Sequence, residues 1–208
     1  MKETKAEHLS DALAALRRGD VIVFPTETLY GLGADALNVS AVAKVFQLKG
    51  RDSSNPFPVL VSNRSMLNSL VADIPPLAEK LIARFWPGPL TIVIPARKDI
   101  PRALMNSAGN IGVRISSHPL ANELVSLFGH PLTATSANPS REPAARTVEK
   151  AKEYFTGTID IFIDGGELTS NAGSTVAEVT GNRLRVIREG KIGKYNLEQA
   201  TGKGVILE

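Results

Sequence analysis

The amino-acid sequence predicts an α/β protein, a single-domain twisted mixed β-sheet with helices packed on it. Segments with apolar residues at helical spacing alternate with short apolar runs of strand length along most of the chain. That alternation ends in an antiparallel hairpin marked by Gly181-Asn182, the pair that suits a two-residue turn. The 208 residues contain no internal repeat, low-complexity stretch or dividing linker, so residues 1–208 read as one domain.

Each element has its own signal. Thr4 and Glu7 form a capping box ahead of Leu9, Leu13 and Leu16, a helix that stops at Gly19. Residues 21–24 are an apolar run ended by Pro25 and read as a buried strand. A second helix spans 40–48, with Val42, Val45 and Phe46 on its apolar face and Gly50 as terminator. Residues 58–61 form a strand, and helical spacing returns over 65–71 and 76–86. Strands follow at 90–94 and 111–115, then a helix over 120–128. Residues 132–135 and 159–163 are further strands, separated by a helix that starts near Thr147. Residues 175–179 and 184–187 are the two arms of the closing hairpin.

Composition bounds the function. Hydrophobic residues make up 43% and charged residues 22%, an ordinary globular balance with enough apolar surface for a core. Cysteine is absent, which excludes disulfides, thiolate zinc sites and cysteine nucleophiles. The first twenty residues read as a charged amphipathic helix and not as a leader peptide. No apolar run approaches the roughly 18 residues of a membrane span, so the expected location is cytoplasmic, without membrane contact. The net charge of +3 is mildly basic, with Lys and Arg scattered along the chain. That suits small anionic ligands, whereas a dedicated nucleic-acid binder clusters its charge. Aromatic residues are only 5%, too few for base stacking to be the main activity.

Four strand-to-loop junctions concentrate polar residues, and open α/β sheets place ligands at such junctions. The first is Pro25-Thr26-Glu27-Thr28-Leu29-Tyr30-Gly31-Leu32-Gly33, which reads as a turn or as a hydroxyl-lined loop that lets a ligand approach the backbone. It lacks the spacing of a P-loop. The second is Lys49-Gly50-Arg51 followed by Asn55-Pro56. Two cations astride a glycine suit a triphosphate, and cations at a helix C-terminus also suit the dipole. The third is the strand with Arg114, whose guanidinium in an apolar run requires an anion, supplied by the protein or by a ligand. The fourth is Thr133-Ala134-Thr135-Ser136-Ala137-Asn138-Pro139, with Gly173-Ser174 and Arg188 as later additions.

Taken in order, Thr26-Glu27-Thr28-Leu29-Tyr30-Gly31-Leu32-Gly33, the Lys-x-Arg of Lys49 and Arg51, Trp86-Pro87-Gly88-Pro89-Leu90-Thr91, Val113-Arg114 with His118-Pro119, and the Ser-x-Asn of Ser136 and Asn138 resemble the YrdC family, specifically its threonylcarbamoyl-AMP synthases. The motifs span most of the chain. The resemblance implies a YrdC-like fold and a nucleotidyl transfer that joins L-threonine, bicarbonate (or carbon dioxide) and ATP into threonylcarbamoyl-adenylate and pyrophosphate. A separate transfer complex then passes the threonylcarbamoyl group to adenosine 37 of tRNA.

By position in the motifs, the resemblance places Thr28, Leu60, Arg114, Ala134 and Ser174 around threonine, with Arg114 on its carboxylate. It places Lys49, Arg51, Asn55, Asn110, Ser136, Asn138, Ala144 and Arg188 around ATP. Lys49 and Arg51 are the catalytic candidates, because charge along the triphosphate must be neutralised as the carbamate attacks. Mg²⁺ is expected with ATP, and no side chain is assigned as a metal ligand. Glu27 and Tyr30 shape the first loop, and no histidine stands out as a general base, which leaves positioning and electrostatics as the main catalytic effects. The chain departs from the family at Asp52, where proline is frequent, and at Leu60, where some members carry histidine. It is expected to be the short form, without the extra C-terminal domain of longer relatives. An RNA-binding module that touches tRNA directly and a paralogous carbamoyl-transfer domain are the competing readings.

Overall fold

The computed structural model describes residues 5–51, 55–201 and 206–207. The Thr4–Glu7 capping box and Asp52 lie outside the residues whose side chains are described. Helix α1 (Lys5–Arg18) leads into strand β1 (Ile22–Phe24). Strand β2 (Gly31–Gly33) then returns antiparallel, with Phe24 opposite Gly31. The polar stretch 25–30 is therefore the loop of a hairpin, and Gly31 and Gly33 belong to its second strand.

Helix α2 (Val39–Lys49) is capped by Asn38, whose side chain accepts the Ala41 N–H. It ends at Gly50 in the left-handed conformation, φ 56°, which glycine adopts without Cβ strain. Strand β3 (Val59–Leu60), helix α3 (Arg64–Leu70), helix α4 (Pro76–Phe85) and strand β4 (Leu90–Pro95) follow. After a short 3-10 turn come strand β5 (Asn110–Arg114) and helix α5 (Pro119–Phe128).

Residues 132–135 are not one strand. They split into β6 (Leu132–Thr133) and β7 (Thr135–Ser136), which belong to different sheets. The division falls at Ala134, whose N–H donates to the Pro58 carbonyl while the chain crosses from one sheet to the other. Helix α6 (Val148–Phe155) starts at Thr147, as the sequence predicts. Residues 159–163 make a single parallel bridge, Val23 with Phe162, in place of the expected strand. β1 is only three residues long, and Gly166 beyond the bridge has φ 76°, so the chain turns away.

Strands β8 (Thr175–Thr180) and β9 (Arg183–Arg188) form the expected hairpin around Gly181-Asn182, with Gly181 at φ 57°. Helix α7 (Lys194–Thr201) and strand β10 (Ile206–Leu207) complete the described chain.

The main sheet is mixed and has the strand order β10-β9-β8-β4-β5-β3-β6, and a small antiparallel sheet has the order β1-β2-β7. β4 is central: it runs parallel to β8 and antiparallel to β5. Leu90, Ile92, Ile94, Ile111 and Val113 pack into the larger core with α2, α3, α4 and α6. A second core joins α1, α5, Ile22 and Phe24, and Leu60 lies within it, about 1% exposed. Burial of these apolar faces drives the assembly and leaves the other face of the main sheet for a ligand.

Candidate active site

That other face is the floor of a cleft of about 760 Å³, within the usual range for small-molecule sites. Strand alternation decides which residues face it. Thr91 and Val93 of β4, Asn110, Gly112 and Arg114 of β5, and Val176 of β8 all line it, while their neighbours Ile92, Ile111, Val113 and Ala177 enter the core. The walls are the 26–31 loop, the turn after α2 and the segment 134–141.

β9 adds an irregularity. Ala177 pairs with Val186 but Val176 pairs with Arg188, so Ile187 is an extra residue and β9 bulges there. Arg185 and Ile187 line the cleft by ordinary alternation, and the bulge turns Arg188 toward it as well. Gly190 keeps the chain close: a Cβ there would fall 2.3 Å from the Gly173 carbonyl oxygen and 2.6 Å from the Thr175 nitrogen. Arg188 is thereby held beside Ser174, donating to its carbonyl at 2.9 Å and its hydroxyl at 3.3 Å.

The turn after α2 brings Lys49 and Arg51 to the cleft. Gly50 is the helix cap, but neither cation is spent on the helix end. Lys49 is buried, and its ammonium crosses to the 136–138 segment, donating to the Ser136 carbonyl at 2.7 Å, the Asn138 carbonyl at 2.5 Å and the Asn138 Oδ1 at 3.1 Å. Arg51 stacks over Phe57, 5.4 Å from the ring centre. Burial, and then the charge of Arg51, lowers the Lys49 ammonium from its ordinary value to about 8. Burial, and then Arg188, lowers Arg51, and burial alone lowers Arg188.

Arg114 meets a protein carboxylate. Its Nη1 donates to Glu27 Oε1 at 2.6 Å, and the two side chains are 5% and 12% exposed. Burial lowers its pKa, the Glu27 carboxylate opposes that, and Arg188 adds to it. Beside it, the Ser174 and Thr91 hydroxyls lie 2.9 Å apart, and those of Thr28 and Thr26 lie 3.0 Å apart. At the opposite end of the floor, Glu178 accepts from Asn106 and Asn110 Nδ2 and from Arg185. Burial alone would raise the Glu178 carboxyl. The bonds from Asn110 and Arg185 outweigh it and hold the group low.

The cleft gathers Thr28, Lys49, Arg51, Asn55, Asn110, Arg114, Ala134, Ser136, Asn138, Ser174 and Arg188 from the residues assigned by sequence. Two assigned residues do not line it. Leu60 points into the core between α1 and α5, since strand alternation sends it to the face opposite the floor. Ala144 stands outside the lining, next to Ala145, whose carbonyl accepts the Tyr30 N–H. Tyr30 shapes the loop as expected: it is buried, donates to the Gly166 carbonyl at 2.8 Å, and is pushed up to about 12 by burial.

The sequence reading missed Glu27 as the partner of Arg114, Thr91 as the partner of Ser174, and the Glu178 cluster. A hydroxyl in the otherwise apolar run 90–94 was a usable signal for Thr91. Nothing local distinguishes Glu27 from any exposed loop acid. Among the described residues, no group of three or more His, Asp or Glu could cage a metal ion. No described helix is long and apolar enough to cross a membrane.

A mixed sheet whose open face carries a paired, buried arginine, with further cations around the same cleft, defines an α/β protein with a cation-lined cleft. The family model for Sua5, YciO and YrdC proteins, described as telomere recombination, matches residues 14–190, and the chain belongs to that family. A threonylcarbamoyl-AMP synthase of Pyrococcus abyssi is 38% identical over 192 residues, 92% of this chain and 56% of that protein. One of Coxiella burnetii is 34% identical over 181 residues, 86% of this chain and 97% of that protein. The crystal structure of P. abyssi Sua5 complexed with L-threonine superposes with a TM-score of 0.92 at 35% identity, covering 100% of this chain and 61% of that one. The chain thus spans a little over half the length of the P. abyssi protein.

Proposed function

We propose that the cleft makes threonylcarbamoyl-AMP from L-threonine, bicarbonate (or carbon dioxide) and ATP, with release of pyrophosphate. The observation that carries this is the sheet face itself. One guanidinium is held in place by an internal carboxylate, Arg188 bears on it across the same cleft, and Arg51 in turn lies within reach of Arg188. The names of the relatives and the threonine bound to P. abyssi Sua5 support the choice of substrate.

The chemistry fits the residues. The threonine amine adds to carbon dioxide and loses a proton, which gives a carbamate. A carbamate oxygen forms a bond to the α-phosphorus as the bond from that phosphorus to the bridging oxygen of pyrophosphate breaks. Arg114 receives the threonine carboxylate through its planar fork, a geometry that a lysine does not offer. Thr28 and Ser174 supply hydroxyls beside it. Lys49, Arg51 and Arg188 neutralise the charge that moves onto the leaving pyrophosphate, an electrostatic contribution that is preorganised in a buried site. Asn55, Asn110, Ser136 and Asn138 complete the ATP side. Holding both substrates in one cleft, between the sheet floor and its loop walls, supplies the proximity that the reaction needs.

Mg²⁺ would enter with ATP. With no acidic cage among the described residues, it would be held by phosphate oxygens and water, the usual arrangement for this ion, and would add charge neutralisation when bound. We also infer that the product goes to a tRNA threonylcarbamoyl-transfer complex and that the protein acts in the cytoplasm, where these substrates meet. Pyrophosphate release from ATP with and without threonine and bicarbonate tests the reading. Pyrophosphate and an AMP-linked product should appear only when all three are present. ADP as the main product would overturn the proposal.

A further inference from the structure

Arg114 is supported from behind. Its Nη1 is bonded to Glu27 Oε1, and among the described residues the guanidinium makes no other hydrogen bond. The second oxygen of Glu27 accepts from the Ser116 hydroxyl. Ser116 is buried, and its Oγ accepts the backbone N–H of His118, the residue that opens α5, at 3.2 Å. On the loop side, Thr26 Oγ1 accepts the Leu29 N–H at 3.2 Å and donates to the Leu29 carbonyl at 2.7 Å, which fixes the turn carrying Glu27. Arg114 lines the cleft and Glu27 does not. The carboxylate is anchored to the first loop, β5 and the start of α5 together.

We infer that Glu27, with Ser116 behind it, is a positioning residue for substrate recognition: it fixes the plane of the Arg114 guanidinium so that the remaining N–H groups face a carboxylate in the cleft. A freely rotating arginine would lose rotameric freedom on each binding event, whereas a clamped one has lost it already. The clamp also supplies a counter-charge where Arg188 bears on Arg114 with the same sign. The rival role for an acid on this arginine is that of an internal competitor occupying the place of the substrate carboxylate. The second anchor on Ser116 opposes it, because a competitor must leave when substrate arrives and this carboxylate is tied at both oxygens. The two roles give effects of opposite sign.

The inference rests on the proposed reading of Arg114 as the threonine carboxylate site. Glu27→Gln keeps the shape and an acceptor while removing the charge, and Ser116→Ala removes the second anchor while leaving the charge. Steady-state pyrophosphate release by the full chain gives KM for threonine, KM for ATP and kcat. Glu27→Gln should raise the threonine KM about tenfold, the effect of weakening one charge-assisted contact, with the ATP KM and kcat within about twofold. Ser116→Ala, less disruptive to folding, should move the threonine KM in the same direction by a smaller factor.

A lowered threonine KM would identify a competitor and overturn the positioning role. Equal changes in both KM values, tracking a fall in melting temperature, would make the pair structural and overturn it too. A wild-type protein whose pyrophosphate release ignores threonine would remove the underlying reading. Threonine-dependent wild-type release with an unchanged Glu27→Gln would remove this inference alone.

Discussion

Arg114 and Arg51 share one cleft and are held there in opposite ways. Arg114 has a built-in counter-ion: Glu27 meets it at 2.6 Å, and the pair is almost wholly buried. Arg51 lies on the face of Phe57, and after burial the influence that lowers it is another cation, Arg188. Lys49, next along, is fixed by carbonyl oxygens and is depressed by burial and then by Arg51. The first region is charge-balanced before any ligand arrives, so it selects by geometry. The second concentrates like charges in a partly dehydrated space, where each raises the cost of its neighbours until an anion enters. A substrate with one carboxylate and a substrate with a triphosphate call for these two solutions respectively.

Removing a cation from the unbalanced side should give the largest effect. Arg51→Ala should weaken ATP binding about ten- to hundredfold, since a hydrogen bond to a charged group is worth about 1.5–3 kcal/mol. Threonine binding should change little, and circular dichroism should show a folded variant. An equal loss for both ligands would erase the distinction between the two regions.

The titration of Lys49 gives a smaller effect with a definite sign. Its native ammonium loses its proton near 8, against an ordinary value of 10.5. ATP affinity measured without threonine should therefore fall several-fold between about pH 7 and pH 9 as the charge is lost. Stability measured without ATP should move the other way. Between the two values the unfolded chain holds the proton that the native protein has released, so stability rises with pH across that window. Lys49→Met should flatten both dependences. Parallel slopes in the wild type and Lys49→Met would assign the titration to another group.

Most of the architecture was legible because burial writes itself into the sequence as periodicity. The alternation of Leu90, Ile92 and Ile94 with more weakly apolar positions, and the Gly181-Asn182 turn, each specify an element by local physics. Ala134 shows the limit: nothing in the run 132–135 marks the residue at which the chain changes sheets, because the cause is a distant partner, the Pro58 carbonyl. The site divides similarly. Cations beside glycines and an arginine in an apolar strand were visible by type. The acid that balances Arg114 comes from a loop 87 residues away in sequence, and the bulge at Ile187 that aims Arg188 depends on strand register, which a single strand does not encode. Leu60 was placed at the site by motif position, and strand alternation puts it in the core instead.

The most direct measurement of the division between the two regions is calorimetric titration of threonine and, separately, of ATP into folded Arg114→Lys. The lysine keeps the positive charge beside Glu27 and loses the planar fork. Threonine affinity should fall by about tenfold or more, the loss of one bidentate contact, while ATP affinity without threonine stays within about twofold of the wild type. Unchanged threonine affinity, or a matched loss of both ligands, would contradict the assignment of Arg114 to the carboxylate and of the remaining cations to the triphosphate.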